Sequence, residues 1–345
     1  MTPPLVLAVD GGNSKTDLAL VRADGEVVAL VRGPQSSPHY LGVDGCLRVL
    51  KELLARALAE AGIPDGSAPV AEIGELLLAG VDFPSEEEQV RVAADRRRLA
   101  STVAVGNDTF AVLRAGTERG WGVAVVCGAG INCVGVAPDG RLARFPALGW
   151  ITGDWGGGGD VGREAVYAAA RSEDGRGEKT SLEQVVPAHF GLETPSQLAE
   201  AFHRGQITER RAVELAPVVF GEASTDPIAA GIVDRLAEEV VVMIRVALER
   251  LGMTEMAVEI VLGGGLMQSG DARLIGADEA ALHEIAPEAR VQATSSPPVV
   301  GAALLGLDEL DSGVEAQERA RRELVESFGR MEGSVRIASR SGRSR

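Results

Sequence analysis

The sequence predicts an α/β protein with two related domains that face each other across a cleft. The chain has 345 residues, more than one simple core accommodates. Short apolar strands run into glycine turns at residues 10–17, 127–130 and 263–265, hereafter the first, second and third glycine loops. Glycines clustered beside apolar runs are typical of tight turns and close ligand approach. A strand–glycine turn–strand–hairpin–strand pattern also occurs twice.

The first copy of this pattern opens the chain. A strand at 5–9 runs into the first glycine loop, and Asp24-Gly25 between apolar runs is a strong hairpin signal. A helix at about 43–61 stops at Gly62 and Pro64. The other elements predicted for a first domain of residues 1–115 are strands at 18–21, 27–31, 73–79 and 102–105 and a charged helix at about 85–99.

The second copy repeats the first at a nearly constant distance. Gly11 and Gly128 are 117 residues apart, and the hairpin residues Asp24 and Asp139 are 115 apart. This indicates a duplication, although two glycine-turn meanders can also match by chance. The second domain is predicted over 116–312, with a helical insertion at about 164–250. Residues 313–345 are predicted to form a helix at about 317–331 and a disordered tail from 334.

Charge and composition limit the partners. The formal net charge of −16 argues against nucleic acid and anionic membranes. The N-terminus lacks signal-peptide features, and no run approaches the roughly 18 apolar residues of a membrane span. Backbone N–H groups can still hold a phosphate. We expect a cytoplasmic homodimer with a small-molecule partner and no nucleic-acid or membrane partner.

The first glycine loop carries groups suited to a phosphate ligand. Asn13, Ser14 and Thr16 add side-chain donors, and Lys15 can neutralise phosphate charge. Asp10, at the carboxyl end of a strand, is well placed to hold Mg²⁺ through water. The loop matches neither G-x-x-x-x-G-K-[ST] nor G-x-G-x-x-G. One such loop is also compatible with a plain hairpin, whereas three are more specific.

Four segments together resemble a known family. Asp10–Asp17, Gly106–Thr109, Cys127–Asn132 and Gly263–Gly265 look like the phosphate-1, connecting, phosphate-2 and adenosine motifs of the BadF/BadG/BcrA/BcrD-type ATPases, which include N-acetylglucosamine kinases. The resemblance spans roughly residues 5–310. It implies two ribonuclease H-like (actin-like ATPase) domains around a nucleotide cleft, with ATP and Mg²⁺ as cofactors. The nucleotide contacts it implies are Gly11, Gly12, Asn13, Ser14, Lys15, Thr16, Gly128, Ala129, Gly130, Gly263, Gly264, Gly265 and Met267.

Asp108 is the candidate catalytic residue. Transfer of a γ-phosphoryl group to an alcohol needs a carboxylate that accepts the hydroxyl proton. Asp108 follows the strand at 102–105, at the edge where α/β clefts open, and the resemblance gives it the role of general base. The alternative is that Asp108 caps a helix that starts at Phe110.

The segment 149–154 resembles the sugar-binding loop of the N-acetylglucosamine kinases. Asp154 would accept hydrogen bonds from ring hydroxyls, or it is only a turn carboxylate. Trp155 replaces the usual glutamate and either stacks on a sugar or packs. Pro38 stands near the usual position of a sugar-binding asparagine, so His39 either rims the cleft or lies in a solvated loop. The substrate contacts expected are Ser37, His39, Asn107, Gly128, Gly149, Trp150 and Asp154.

Three functions are compatible with these residues. The leading hypothesis is ATP-dependent phosphorylation of N-acetylglucosamine to its 6-phosphate, with glucosamine or another hexosamine as alternative substrate. The second is an ATPase that activates a partner reductase through an iron–sulfur cluster on Cys127 and Cys133, which otherwise are buried hydrophobic residues. The third is a sugar-responsive regulator, disfavoured by the charge and by a first strand that begins at residue 5.

Overall fold

The structure is a computed structural model that describes residues 4–341 except 65, 67 and 68, with side chains described as far as residue 331. The described chain divides into two compact units. Unit 1 combines the chain up to Gly120 with the chain from Ser296 onward, and unit 2 is Trp121–Ser295. Each unit is built on one five-stranded sheet.

Runs of strands and runs of helices follow one another along the described chain. The strands are β1 (Leu5–Gly11), β2 (Lys15–Arg22), β3 (Val27–Pro34), β4 (Ala71–Leu78), β5 (Ala100–Gly106), β6 (Gly122–Cys127), β7 (Ile131–Val136), β8 (Leu142–Arg144), β9 (Glu259–Gly263) and β10 (Arg290–Ala293). The helices are α1 (Pro38–Glu60), α2 (Pro84–Arg97), α3 (Asp108–Gly116), α4 (Gly157–Asp174), α5 (Leu182–His189), α6 (Pro195–His203), α7 (Ala216–Glu222), α8 (Pro227–Leu251), α9 (Gly265–Gln268), α10 (Ala272–Ile285), α11 (Pro298–Glu309) and α12 (Val314–Ser341).

The two sheets have the same topology. In unit 1 the strand order is β3-β2-β1-β4-β5. Strand β2 pairs antiparallel with both β1 and β3, and β4 pairs parallel with both β1 and β5. In unit 2 the order β10-β9-β6-β7-β8 repeats this arrangement around β6. The mixed α/β class and the two-domain fold are confirmed, and the repeated topology agrees with the duplication inferred from the glycine loops.

The central strand of unit 1 is apolar on both faces because helices cover both sides of the sheet. Leu5, Leu7 and Val9 pack in one hydrophobic cluster with residues of α1 and α2. Val6 and Ala8 point to the other face and pack with residues of α3, α11 and α12. Strand β1 is therefore buried by elements from both ends of the chain.

The end of the chain differs from the sequence expectation. Residues 296–312, expected in the C-terminal domain, belong to unit 1. A Cβ on Gly301 would lie 1.9 Å from the carbonyl oxygen of Ala111, and one on Gly306 would lie 2.3 Å from Val6. Only glycine allows α11 this close to α3 and β1. Helix α12 continues to Ser341, so a disordered tail from 334 was the wrong expectation for 334–341; residues 342–345 lie outside the described part.

Unit 2 has one hydrophobic cluster, to which helix α8 contributes much of one face. Asp226 begins α8 by accepting hydrogen bonds from the backbone of Ile228 (2.7 Å) and Ala229 (3.1 Å), and Gly252 ends it in the left-handed region (φ 68°). Helices α4–α8 and a 3-10 segment at Glu209–Leu215 occupy the region where the helical insertion was predicted. Within the described part of the chain, no helix is long and apolar enough to cross a membrane.

One carboxyl group lies inside the core of unit 2. Leu274, Asp278 and Leu282 share the buried face of α10, and Asp278 has no exposed surface. Neither of its carboxyl oxygens has a hydrogen-bond partner among the described residues. Burial raises the pKa of Asp278 to about 8. The carboxyl group is therefore protonated in the folded protein over much of the neutral range.

Replacement of this carboxyl group should change how stability depends on pH. The unfolded Asp278 ionises near its ordinary pKa of 3.8, but the folded one only near 8, so the free energy of unfolding falls as the pH rises between these values. We expect Asp278→Asn to match the parent at pH 4 and to melt several degrees higher at pH 8. Asp139→Asn, at an exposed carboxylate, is the control. If the melting temperatures of the parent and of Asp278→Asn changed with pH in the same way, the carboxyl group at 278 would not be buried and protonated.

Candidate active site

Three acidic side chains follow three neighbouring parallel strands of unit 1. Asp10 is near the end of β1, Asp82 follows β4, and Asp108 follows β5. Strands β1, β4 and β5 lie side by side in parallel, so their carboxyl ends share one edge of the sheet. Sites in open α/β sheets occur at this edge, and here it collects carboxyl groups from three distant parts of the chain.

The first glycine loop is a tight connection between β1 and β2. The backbone N–H of Gly12 donates to the carbonyl of Lys15 at 2.9 Å. Asn13, Ser14 and Lys15 are exposed at the tip. The hydroxyl of Thr16, expected to contact nucleotide, is buried and donates to Ser36 Oγ at 2.7 Å. Thr16 thus fastens the loop to the segment after β3.

Glycine is required at the base of this loop. A Cβ on Gly11 would lie 2.3 Å from Leu78 and 2.6 Å from Ser36 Oγ. The end of β1 therefore packs directly on the end of β4 and on the Ser36 segment. This close packing fixes the direction in which the loop leaves the sheet.

Opposite charges lie beside Asp10. Burial raises the pKa of Asp10 to about 8, and the negative charges of Asp108 and Asp17 act in the same direction, whereas Lys15 and Arg32 oppose the shift. Asp17 is itself buried and accepts two hydrogen bonds from the Arg32 guanidinium, at 2.7 and 3.0 Å. An additional cation at this edge would offset the repulsion between Asp10 and Asp108.

The acidic side chains suit a magnesium ion that is bound mainly by phosphate and water better than a metal ion held entirely by protein side chains. Among the described residues, no group of three or more His, Cys, Asp or Glu side chains could hold a metal. Mg²⁺ in phosphoryl-transfer sites is typically bound by one or two carboxylates, with water and substrate phosphates as the other ligands. Asp10 can supply such a carboxylate, because a bound cation would favour its ionised form and so oppose the rise in its pKa.

Asn107, and not Asp108, caps helix α3. Asn107 Oδ1 accepts hydrogen bonds from the backbone N–H (3.0 Å) and the hydroxyl (2.7 Å) of Thr109. Asp108 is the first residue of the helix and is half-buried. Burial raises the pKa of Asp108 to about 6, against the opposing effect of the backbone N–H groups of Asp108 and Thr109. Such a carboxylate is ionised at neutral pH yet basic enough to accept a proton.

Sequence reasoning missed Asp82. Its Oδ1 accepts a hydrogen bond from Asn107 Nδ2 at 2.8 Å, which joins the ends of β4 and β5. The sequence did contain a signal for Asp82. Gly80-Val81-Asp82 follows a buried strand, in the same way that Asn107-Asp108 follows the next strand. Gly80 is in the left-handed region, and a Cβ there would lie 2.7 Å from His39 Cβ and 2.9 Å from Ser37 Oγ. The exposed His39 and the buried Ser37 therefore lie against this turn.

The second and third glycine loops meet within unit 2. A Cβ on Gly264 would lie 2.3 Å from the carbonyl oxygen of Cys127. The start of α4 is attached to the second loop, since the backbone N–H groups of Gly158 and Gly159 donate to the carbonyls of Gly128 (2.8 Å) and Ala129 (2.9 Å). The predicted nucleotide contacts Ala129, Gly130 and Gly265 are exposed, Gly128 and Gly264 are half-buried, and Gly263 and Met267 are buried.

The predicted sugar loop is a short 3-10 helix, Gly149–Ile151, followed by a turn. The backbone N–H of Asp154 donates to the carbonyl of Gly149 at 3.0 Å, and Thr152 Oγ1 donates to Asp154 Oδ2. Trp150 is 89% exposed, so its ring is available to a ligand. Trp155 instead packs against the core of unit 2, with the Arg235 guanidinium 4.0 Å from its ring centroid.

The cysteines near the second glycine loop are core residues. Cys127 and Cys133 are buried in the cluster of unit 2. Burial raises the pKa of Cys127 to about 12 and raises that of Cys133 as well. Cluster ligands are thiolates, so these buried neutral thiols favour the packing interpretation.

Comparison with known proteins gives a family match over most of the chain. The model of the BadF/BadG/BcrA/BcrD ATPase family matches residues 7–306. Among curated proteins, the N-acetylmuramic acid/N-acetylglucosamine kinase of Clostridium acetobutylicum is 29% identical over 265 residues, 76% of this chain and 86% of that protein. The N-acetyl-D-glucosamine kinase of Dictyostelium discoideum is 25% identical over 319 residues, 89% of this chain and 99% of that protein.

Solved structures share the fold. A crystal structure from Chromobacterium violaceum, assigned provisionally as an N-acetylglucosamine kinase, has a TM-score of 0.70 at 23% identity and covers 88% of this chain and 99% of its own. A ROK family glucokinase from Streptomyces griseus, solved with glucose and AMPPNP, has a TM-score of 0.51 at 16% identity and covers 88% and 99%. These likenesses identify the actin-like ATPase fold.

The contact between α4 and the second glycine loop can be tested with two glycines. Gly157 and Gly175 both have positive φ (73° and 81°), but a Cβ at 157 would lie 2.4 Å from the carbonyl oxygen of Gly130, whereas 175 is open. We expect Gly157→Ala to displace the loop and weaken ATP binding about tenfold, ~1.4 kcal/mol. Gly175→Ala should lower only the melting temperature. Calorimetric titration with ATP measures the dissociation constants of both variants. If Gly157→Ala and Gly175→Ala bound ATP equally well, the second glycine loop would not contribute to ATP binding.

Proposed function

Because the chain belongs to the BadF/BadG/BcrA/BcrD ATPase family, we propose that it transfers the γ-phosphoryl group of ATP to a hydroxyl of an amino sugar. The proposed substrate is N-acetylglucosamine and the product its 6-phosphate, a choice supported by the names of the two curated relatives. The observation that carries the proposal is the strand edge of unit 1, where Asp108 and Lys15 of the first glycine loop both lie close enough to Asp10 to shift its pKa, in opposite directions.

Asp108 is the proposed general base. As the sugar hydroxyl oxygen forms its bond to the γ-phosphorus, the hydroxyl proton passes to the Asp108 carboxylate, and the bond between the γ-phosphorus and the bridging oxygen breaks to release ADP. A carboxylate with a pKa near 6 is mostly ionised at pH 7. Asn107 holds the first turn of α3, so the position of Asp108 depends on that cap and on Asp82.

The glycine loops are proposed to hold the polyphosphate. In the first loop, Lys15 would neutralise phosphate charge, and Asn13 and Ser14 would donate hydrogen bonds. In unit 2, the exposed backbone of Ala129–Gly130 and Gly265 offers further N–H donors. Magnesium, when bound, would neutralise the charge that develops on the phosphates, and Asp10 would hold it through water.

The sugar contacts expected from the sequence are proposed to bind the substrate. In unit 2, Asp154 would accept hydrogen bonds from ring hydroxyls, and the exposed Trp150 would offer an apolar face. The other proposed contacts are Ser37, His39, Asn107, Gly128 and Gly149. A cytoplasmic location and a homodimer without nucleic-acid or membrane partners stay predictions.

A panel of sugars tests this function. With ATP and Mg²⁺, we expect N-acetylglucosamine to stimulate ADP release more than glucosamine, N-acetylmannosamine, N-acetylmuramic acid or glucose. Asp108→Asn should lower kcat by roughly 10²–10⁴-fold, the usual contribution of a general base, and leave the calorimetric Kd for ATP within about twofold. Asp174→Asn, at an exposed ion pair with Arg176, is the control. ADP release that no sugar stimulates would contradict the proposal.

The pH dependence tests the role of Asp108 separately. Burial raises its pKa to about 6, and the base must be ionised to accept a proton. At saturating MgATP, kcat/KM for the sugar should therefore be level above about pH 7 and fall about tenfold per pH unit below 6. The sugar-dependent rate of the parent protein, followed from pH 4.5 to 8.5, gives this profile. A level profile down to pH 4.5 is the result that opposes the assignment.

A further inference from the structure

The C-terminal helix α12 lies beyond residue 306, where the family match ends, yet it is packed firmly into unit 1. Ala320 and Leu324 have no exposed surface and belong to the same hydrophobic cluster as Val6 and Ala8 of β1. Glu323 Oε2 accepts a hydrogen bond from the backbone N–H of Val27, at 2.9 Å. These contacts fix α12 along the sheet one turn before Phe328.

Phe328 presents its ring to two cations of the strand edge. The Arg32 guanidinium carbon lies 4.7 Å from the ring centroid, and Lys15 Nζ lies 5.7 Å from it. Both distances are within the range of a cation–π interaction, which is about 6 Å. Arg32 is also held by its two hydrogen bonds to the buried Asp17. The aromatic ring therefore accommodates two positive charges that would otherwise repel each other.

Lys15 gains most from this contact. It is exposed at the tip of the first glycine loop, and its flexible four-carbon stem would sample many rotamers there. Arg32 is fixed by Asp17 without the ring, whereas in the described part of the chain the Lys15 ammonium has the aromatic contact and the attraction of the nearby Asp10. A side chain that is restrained before binding loses less conformational entropy when it meets a ligand.

We propose that Phe328 is a positioning residue for ATP: its ring holds the Lys15 ammonium beside Arg32, so that Lys15 is preorganised to meet the polyphosphate. The proposal rests on the proposed function only as far as ATP binding at the first glycine loop. It adds to the site a residue from a C-terminal helix outside the family match. Phe328 acts through Lys15 and touches no reacting atom.

Calorimetric titration with ATP, in the presence of Mg²⁺ and without sugar, tests the proposal. We expect Phe328→Leu to raise the Kd for ATP about three- to tenfold, and Phe328→Tyr, which keeps an aromatic face, to restore it. Val325→Ala changes a residue of α12 that is 44% exposed and should leave the Kd unchanged. In kinetics, KM for MgATP should rise in Phe328→Leu, with kcat and KM for the sugar within about twofold of the parent.

A double-mutant cycle separates positioning from a structural effect. In a Lys15→Gln background, Phe328→Leu should change the Kd for ATP by less than about twofold, because the ring acts through the ammonium. An equal loss in both backgrounds, or an unchanged Kd in the parent background, would overturn the proposal. Failure of the kinase function is a different result, since ATP would then bind with the same dependence on Phe328 but no sugar would release ADP.

Discussion

The site depends on one constraint, the shared edge at which β1, β4 and β5 end. Parallel pairing brings together carboxylates separated by about a hundred residues of chain, and neighbouring helices leave them poorly solvated. The cost appears in the raised pKa values of Asp10 and Asp108. A fold that gathers acids in this way has an edge that favours a cation, and the protein supplies part of that charge itself through Arg32 and Lys15.

Much of the fold was accessible from local signals. Glycine turns after apolar strands, the Asp-Gly hairpins and the spacing of the two copies were sufficient to predict two related domains, because each signal lies within a few residues. The full strand order of each sheet came from the structure. The return of α11 and α12 to unit 1 was not predicted. It depends on contacts such as that of Gly301 with Ala111 and the ion pair of Arg114 with Asp308, whose partners lie far apart in sequence.

The candidate site shows the same division between local and distant information. Asp10, Asp108 and the glycine loops were recognisable because each motif is contiguous. The buried position of Thr16, the Asp82–Asn107 hydrogen bond and the ring of Phe328 are pairings across 20 or more residues. A single sequence indicates which groups could react, whereas the groups that hold them in place are visible only when distant strands and helices are assembled.

The two sheets also show how one topology is used for two kinds of chemistry. At the ends of the parallel strands, unit 1 carries acids beside its glycines, whereas β6 and β9 of unit 2 run into glycine loops that contain no acid. A Cβ on Gly264 would lie 2.3 Å from the carbonyl oxygen of Cys127, so the two loops of unit 2 pack backbone against backbone. Their exposed residues Ala129, Gly130 and Gly265 offer mainly backbone polar groups. In a chain of net charge −16, backbone dipoles attract an anion without adding basic side chains. The few cations near the first glycine loop must then be placed accurately, which is the reason for an aromatic ring beneath Lys15 and Arg32.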